Sequence, residues 1–315
     1  MRQNDKEVSV REVGPRDGLQ MVKEVVSTEA KVEWIAAMVD AGVRQIEVGS
    51  FVPRSTLPQM ADSAILVRRV RQSHPQLYAT ALAPNLRGVQ DAVAAGAQSI
   101  VVPVSASEAH SRANVRRSRE EQVLQFGRMV EFIRSLGSGA PRIEAAVSTA
   151  FGCSIQGKVP ESEVIRMAGD LARAGADVVT LADTLGYATP SHIRRLVRGV
   201  RGEIGAEKLW ALHLHDTLGT ALANVMAGLE EGVRAFDGAL GGLGGCPFAP
   251  GSVGNVATED LVYLLESEGC HTGIDLRGLL DARAVLRAVL PNEKLHGRVA
   301  AAGIPQTYSS AVEGP

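Results

Sequence analysis

One junction occurs four times in this chain, and it limits the folds open to it more than any other feature. Asp40-Ala41-Gly42-Val43, Ala94-Ala95-Gly96-Ala97, Arg173-Ala174-Gly175-Ala176 and Glu230-Glu231-Gly232-Val233 each join a helix tail to a glycine and then to an apolar strand. The glycine suits the left-handed position just past a helix C-terminus, where a side chain is strained. The strands that follow are Ile46-Glu47-Val48, Ile100-Val101-Val102, residues 178–181 and Ala235-Phe236. The glycines lie 54, 79 and 57 residues apart, so each interval has room for one more strand and helix. Residues 76–82, 141–147 and 208–215 supply those strands, and residues 8–13 supply the first. Eight strand-then-helix units predict an α/β protein with a (β/α)8 TIM barrel. A doubly wound open sheet is the alternative, disfavoured because no GxGxxG follows the first strand.

Residues 1–300 are expected to form one barrel domain. Its C-terminal helical extension covers about 257–300, with helical patterns over 258–268 and 276–290. The Gly/Pro/Ser-rich residues 301–315 are expected to be a mobile tail. The first helix is capped by Ser27 or Thr28 and turns Val32, Ile35, Ala36 and Val39 to the core.

Composition narrows the class of function. A formal charge of -2 and 4% aromatic residues give no surface for a nucleic acid, so no such partner is expected. No apolar run approaches the ~20 residues that span a bilayer, so no membrane partner is expected either. The three cysteines show no CxxC spacing, and the polar residues 2–7 contain no secretory apolar segment. Both features point to a reducing, cytoplasmic setting.

A barrel of this kind carries its chemistry at the C-terminal ends of its strands. The polar residues there are Arg16 and Asp17 after strand one, Glu47 in strand two, Asp183 after strand six, His213 and His215 in strand seven, and Cys246 and Asn255 after strand eight. His213 and His215 share one face of their strand, because successive strand residues alternate sides, and are poised to grip a metal. Each of the other six residues also has a plain structural reading. Asp17 and Asp183 are turn or helix caps, Glu47 and Arg16 an ion pair, Asn255 an N-cap for the helix after Val256, and Cys246 an inert small residue. The other histidines, His74, His110, His192, His271 and His296, fall near helix ends or loops and read as structural or solvated. Six coincidences at one barrel end favour a site.

Several of these stretches resemble the 3-hydroxy-3-methylglutaryl-CoA lyases. The likeness is carried by Glu12-Val13-Gly14-Pro15-Arg16-Asp17-Gly18-Leu19-Gln20, residues 46–51, Pro58-Gln59-Met60, residues 213–224, Gly241-Gly242-Leu243-Gly244-Gly245-Cys246-Pro247-Phe248 and residues 254–260. It runs from about Val8 to about Leu290. The related isopropylmalate and homocitrate synthases share the Arg-Asp pair and the HxH but lack the Gly-Gly-Cys-Pro loop. Their long C-terminal regulatory domain would not fit here.

The resemblance implies a retro-Claisen cleavage of an acyl-CoA partner to acetyl-CoA and a keto acid such as acetoacetate, as in leucine catabolism and ketone-body formation. It implies a divalent cation, Mg or Mn with Zn as an alternative, held by Asp17, His213, His215 and Asn255, and no organic cofactor. Arg16 would stabilise the enolate, Asp183 would take the hydroxyl proton, and Cys246 would protonate the enolate carbon. Glu47 would orient Arg16 or the metal shell. Arg16, Gln20 and Ser50 would contact substrate, and a homodimer is an admissible assembly. The chain departs from the family at Met21-Val22-Lys23, Pro53-Arg54-Ser55-Thr56, Cys153-Ser154-Ile155 and Ala182, all outside the catalytic set. Three alternatives remain: a condensing synthase or pyruvate-type aldolase, a lyase for another 3-hydroxy-3-alkylglutaryl-CoA or citramalyl-CoA, and a non-catalytic barrel that binds a CoA ester.

Overall fold

Eight strands pair in parallel, each with the next in sequence, and the last pairs with the first. They are β1 (Ser9–Glu12), β2 (Gln45–Ser50), β3 (Tyr78–Leu82), β4 (Ser99–Ser105), β5 (Arg142–Ser148), β6 (Val178–Asp183), β7 (Leu209–Leu214) and β8 (Ala235–Gly238). The closed barrel was expected from the sequence, and its strands lie within the expected runs or overlap them closely. The computed structural model describes residues 6–53, 55–245 and 254–309.

The helices that wrap the barrel are α1 (Thr28–Asp40), α2 (Ser63–Ser73), α3 (Leu86–Ala95), α4 (Glu108–Val115), α5 (Arg119–Ser135), α6 (Glu161–Arg173), α7 (Pro190–Ile204), α8 (Ala221–Glu230), α9 (Thr258–Ser267), α10 (Leu276–Val289) and α11 (Arg298–Ala302). Two helices, α4 and α5, lie between β4 and β5, which accounts for the long second glycine interval. In the segment read as the C-terminal extension, α9 follows β8 and packs on it through Thr258 and Leu261. Beyond it, α10 packs against α1, and Tyr308 stacks on Tyr263 at 5.5 Å between ring centroids.

The four repeated glycines behave alike. Gly42, Gly96, Gly175 and Gly232 have φ of 97°, 91°, 100° and 84°. Each donates its amide back three residues, and the residue after it donates back five, as Gly42 to Val39 and Val43 to Met38 at 3.0 Å each. This paired closure satisfies two carbonyls left over by the helix and points the chain into the next strand.

The face of α1 differs from the sequence expectation. Ser27 caps it, accepting from the Ala30 amide. The buried residues are Lys31, Trp34, Ile35, Met38 and Val39, while Val32 and Ala36 are only part-buried. Lys31 turns inward because its ammonium finds the Gln59 carbonyl and Asp62 Oδ1, both at 2.6 Å. A charge with such partners is tolerated under a helix.

Candidate active site

The site begins where β1 ends. In the turn Gly14–Gly18 the amides of Arg16, Asp17 and Gly18 all donate to the Val13 carbonyl, at 3.1, 2.7 and 3.4 Å. Three donors on one acceptor fix this turn and with it two adjacent charged side chains, both buried. Arg16 bridges two carboxylates. Its Nη1 donates to Asp17 Oδ1 at 2.5 Å and its Nε to Glu47 Oε2 at 2.8 Å. Its Nη2 stands 2.6 Å from the same Glu47 oxygen. The expected Arg16–Glu47 ion pair is therefore present, and it aims a guanidinium whose two Nη atoms each carry a second N–H.

His213 and His215 come from the end of β7. Their rings lie on one side of the strand, with the Nε2 atoms 3.1 Å apart. Asp17 Oδ2 is 3.5 Å from His215 Nε2 and 3.9 Å from His213 Nε2. Neighbouring corners of an octahedron with bonds of about 2.1 Å are about 3.0 Å apart. The three donors thus stand close to the spacing of adjacent ligands on one cation. Among the described residues, these three make the one such group of His, Cys, Asp and Glu.

Asn255 follows β8 and reaches the same place. Its Nδ2 donates to Asp17 Oδ2 at 2.8 Å and to the Leu243 carbonyl at 3.1 Å. Its Oδ1 is buried and has no protein partner. It caps no helix, since α9 begins at Thr258 with Ala257 as its cap. A buried acceptor without a donor beside two imidazoles and a carboxylate fits a bound cation. The backbone must come very close here: a Cβ on Gly244 would lie 2.8 Å from Asn255 Nδ2.

Electrostatics agree with the donor set. Burial pushes the Asp17 carboxyl up, but Arg16 and then the two histidines hold it well below the usual carboxylate range. Burial lowers the proton affinity of His213, yet Asp237 and Asp17 outweigh it and the net direction is upward. Both follow from opposite charges held a few ångströms apart in a dry place.

The other expected residues divide. Gln20 Nε2 donates to Asp17 Oδ1 at 2.9 Å. Asp183 closes the β6 turn, its two oxygens accepting the Tyr187 and Ala188 amides at 2.9 Å each. Burial raises its pKa, and those amides offset the rise only in part. Its carbonyl accepts the His215 amide at 3.3 Å, so it adjoins the histidine pair. Ser50 ends β2 and lines a cavity of about 440 Å³ with Phe51, Met60, Arg68 and Arg87, none of them from the histidine cluster. Cys246 lies outside the described residues. Of the remaining histidines, His110 bonds Ser105 Oγ at 2.6 Å and His192 packs edge-on against Phe151.

Sequence reasoning missed the layer beneath. Asp237 Oδ2 faces His213 Nδ1 at 3.1 Å. Arg11 binds Asp237 from one side and Glu144 from the other. On the outer face, Glu12 accepts the Gly14 and Leu240 amides and the Thr258 hydroxyl, and Glu259 accepts the Gly241 amide. These carboxylates anchor the loop that carries Asn255. Their signal was available as charged residues inside apolar strands, at Arg11, Glu144 and Asp237.

Residues 7–286 match the family described as HMGL-like. The chain is 42% identical to the cytoplasmic 3-hydroxy-3-methylglutaryl-CoA lyase of Mus musculus, over 94% of this chain and 84% of that one. It is 41% identical to the 3-hydroxy-3-isohexenylglutaryl-CoA/hydroxy-methylglutaryl-CoA lyase of Pseudomonas aeruginosa, over 90% of this chain and 93% of that one. Among solved structures, an HMG-CoA lyase from Acinetobacter baumannii in complex with coenzyme A and 3-methylmalate is 38% identical. It superposes with a TM-score of 0.90 over 98% of this chain and 99% of that one.

Proposed function

The chain belongs to the HMGL-like family, and from that premise we propose that it is a metal-dependent carbon–carbon lyase. Its substrate is 3-hydroxy-3-methylglutaryl-CoA or a close 3-hydroxyacyl-CoA analogue, cleaved to acetyl-CoA and acetoacetate. The observation that carries this reading is the contact between Arg16 and Asp17, which puts a fixed positive charge beside the Asp17–His213–His215 donor set.

When bound there, a divalent cation supplies a Lewis acid that acidifies the tertiary hydroxyl and polarises the forming ketone. Asp17, His213, His215 and the orphaned Asn255 Oδ1 would hold it; mixed oxygen and imidazole donors suit Mg or Mn. Asp183, whose buried carboxyl has a raised proton affinity, takes the hydroxyl proton. The C2–C3 bond then breaks, the hydroxyl carbon becomes the ketone, and the electron pair passes to the thioester as an enolate. Arg16 donates to that enolate oxygen, held in line by Glu47. Cys246 returns a proton to C2, so one proton leaves oxygen and one reaches carbon. Gln20 steadies Asp17. Exposed apolar side chains on the loops after β5, β6 and β7, Ile155, Tyr187 and Leu218, suit an amphipathic CoA ester arriving at this end.

A larger C3 substituent is the second reading, favoured by the likeness to the Pseudomonas aeruginosa relative named for two substrates. No helix among the described residues is long and apolar enough to cross a membrane. A cytoplasmic location is part of the proposal. The test is steady-state cleavage of hydroxymethylglutaryl-CoA beside 3-hydroxy-3-isohexenylglutaryl-CoA and citramalyl-CoA with Mg or Mn, read by mass spectrometry. A specificity constant near ~10⁴ M⁻¹s⁻¹ or above for hydroxymethylglutaryl-CoA, unmatched by the others, is expected. Acetyl-CoA consumption in place of release would assign a condensing synthase.

A further inference from the structure

The two metal-facing histidines are not supported alike. His215 Nδ1 is buried without a protein partner among the described residues. His213 Nδ1 faces Asp237 Oδ2 at 3.1 Å, and behind Asp237 stands a chain of buried groups. Arg11 Nε donates to Asp237 Oδ1 at 2.8 Å and Arg11 Nη2 to Asp237 Oδ2 at 2.9 Å. The other edge of the guanidinium meets Glu144, with Nη1 to Oε2 at 2.9 Å and Nη2 to Oε1 at 3.0 Å. Glu144 Oε1 also takes the Thr180 hydroxyl at 2.6 Å. None of Arg11, Glu144, Asp237 and Thr180 is more than 4% exposed.

We infer that Asp237 is a positioning residue for the metal-facing edge of His213, and that Arg11, braced by Glu144, holds Asp237 in place for that task. The inference rests on the metal reading proposed above.

The geometry leads there in three steps. A neutral imidazole carries one proton, and which nitrogen bears it depends on what the other meets. A carboxylate opposite Nδ1 can only accept, so it selects the form with the proton on Nδ1 and the lone pair on Nε2. That lone pair is the one turned toward Asp17 and His215. Next, Asp237 is itself unable to turn away, because each of its oxygens receives a separate N–H from one planar fork. Finally, the fork is fixed by the barrel. Arg11, Asp237 and His213 sit in one register row on β1, β8 and β7. Glu144 and Thr180 reach in from β5 and β6. Five strands therefore determine where one ring points, and moving any one group strands a buried charge.

The test uses the full chain, free of substrate, titrated with Mn²⁺ and read by the electron paramagnetic resonance signal of the free ion. Asp237→Asn is expected to weaken Mn²⁺ binding by about 10- to 100-fold with an unchanged circular dichroism spectrum. Arg11→Lys, which keeps the charge but loses the fork, is expected to weaken it by roughly 3- to 10-fold. Mn²⁺ affinity within threefold of wild type in the folded Asp237→Asn protein overturns the role of Asp237. Unchanged affinity in Arg11→Lys overturns the role of Arg11. Should Asp237→Asn fail to fold, ¹⁵N spectra of the histidine-labelled wild type decide, assigned by comparison with His213→Gln. In the metal-free protein, at a pH where the His213 ring is neutral, its proton on Nδ1 supports the inference, and its proton on Nε2 overturns it. A wild type that binds no Mn²⁺ removes the metal reading itself, a result distinct from a wild type and a variant that bind equally.

Discussion

Two buried arginines sit in this barrel, one in the interior and one at the mouth, and each bridges two carboxylates. Arg11 holds Asp237 and Glu144; Arg16 holds Asp17 and Glu47. The lower cluster is closed: both oxygens of Asp237 and both of Glu144 have partners. The upper cluster is open, for Glu47 Oε1 and the adjoining Asn255 Oδ1 have no protein partner among the described residues. The same chemistry serves as scaffold where every atom is matched and, in the function proposed above, as a site where some acceptors are left for a ligand. Burial and charge alone do not separate the two; the hydrogen-bond tally does.

That contrast is easiest to break at the ligands. His215→Ala is expected to abolish Mn²⁺ binding and lower turnover by at least roughly 10³-fold, because the Lewis acid contributes several kcal/mol. Its urea unfolding midpoint is expected to move little. Turnover near wild type would put the cation elsewhere. The next largest effect belongs to the closed cluster. Arg11→Met strands two buried carboxylates and is expected to cost about 3–5 kcal/mol in urea unfolding. A loss under about 1 kcal/mol would mean that the interior tolerates the charge unpaired.

Arg16→Lys sharpens the comparison from the other side. A point charge replaces the fork, so turnover is expected to fall by roughly 10²-fold with Mn²⁺ affinity unchanged and stability within about 1 kcal/mol. If stability falls and turnover holds, the upper cluster is scaffold too.

Glu12 is the control for both, a buried carboxylate with no arginine. Burial pushes its pKa up to about 7, against the pull of its hydrogen bonds. Asp237 is buried as well, but beside Arg11 it is held at about 2. A carboxyl with a raised folded pKa binds its proton more tightly folded than unfolded. Its contribution is therefore full below about pH 4.5 and is lost as pH rises through about 7. Replacing Glu12 by Gln is expected to flatten that decline, by roughly 1–3 kcal/mol between the two pH values. Parallel stability–pH curves for variant and wild type would contradict it.

The barrel and its mouth were legible in the sequence for local reasons. A glycine closure needs only six residues of chain, and two histidines two apart share a face on any strand. The interior was not legible, because alternation shows that Arg11 and Val10 point opposite ways without saying which way is inward. The barrel answers that only when Glu144 and Asp237 come round from other strands. The inward face of α1 was missed for the same reason, since Lys31 is held there by Gln59 and Asp62, which are distant in sequence. Asp183 satisfied its structural reading as a turn anchor, which leaves its proposed basic role to experiment.

The most direct measurement follows acetyl-CoA release from hydroxymethylglutaryl-CoA by protein stripped of metal with a chelator, then given Mn²⁺ in steps. Release is expected to be absent in the stripped protein and to rise to a plateau near one Mn²⁺ per chain. Full release from protein shown by elemental analysis to hold no metal would contradict the open cluster as the catalytic centre.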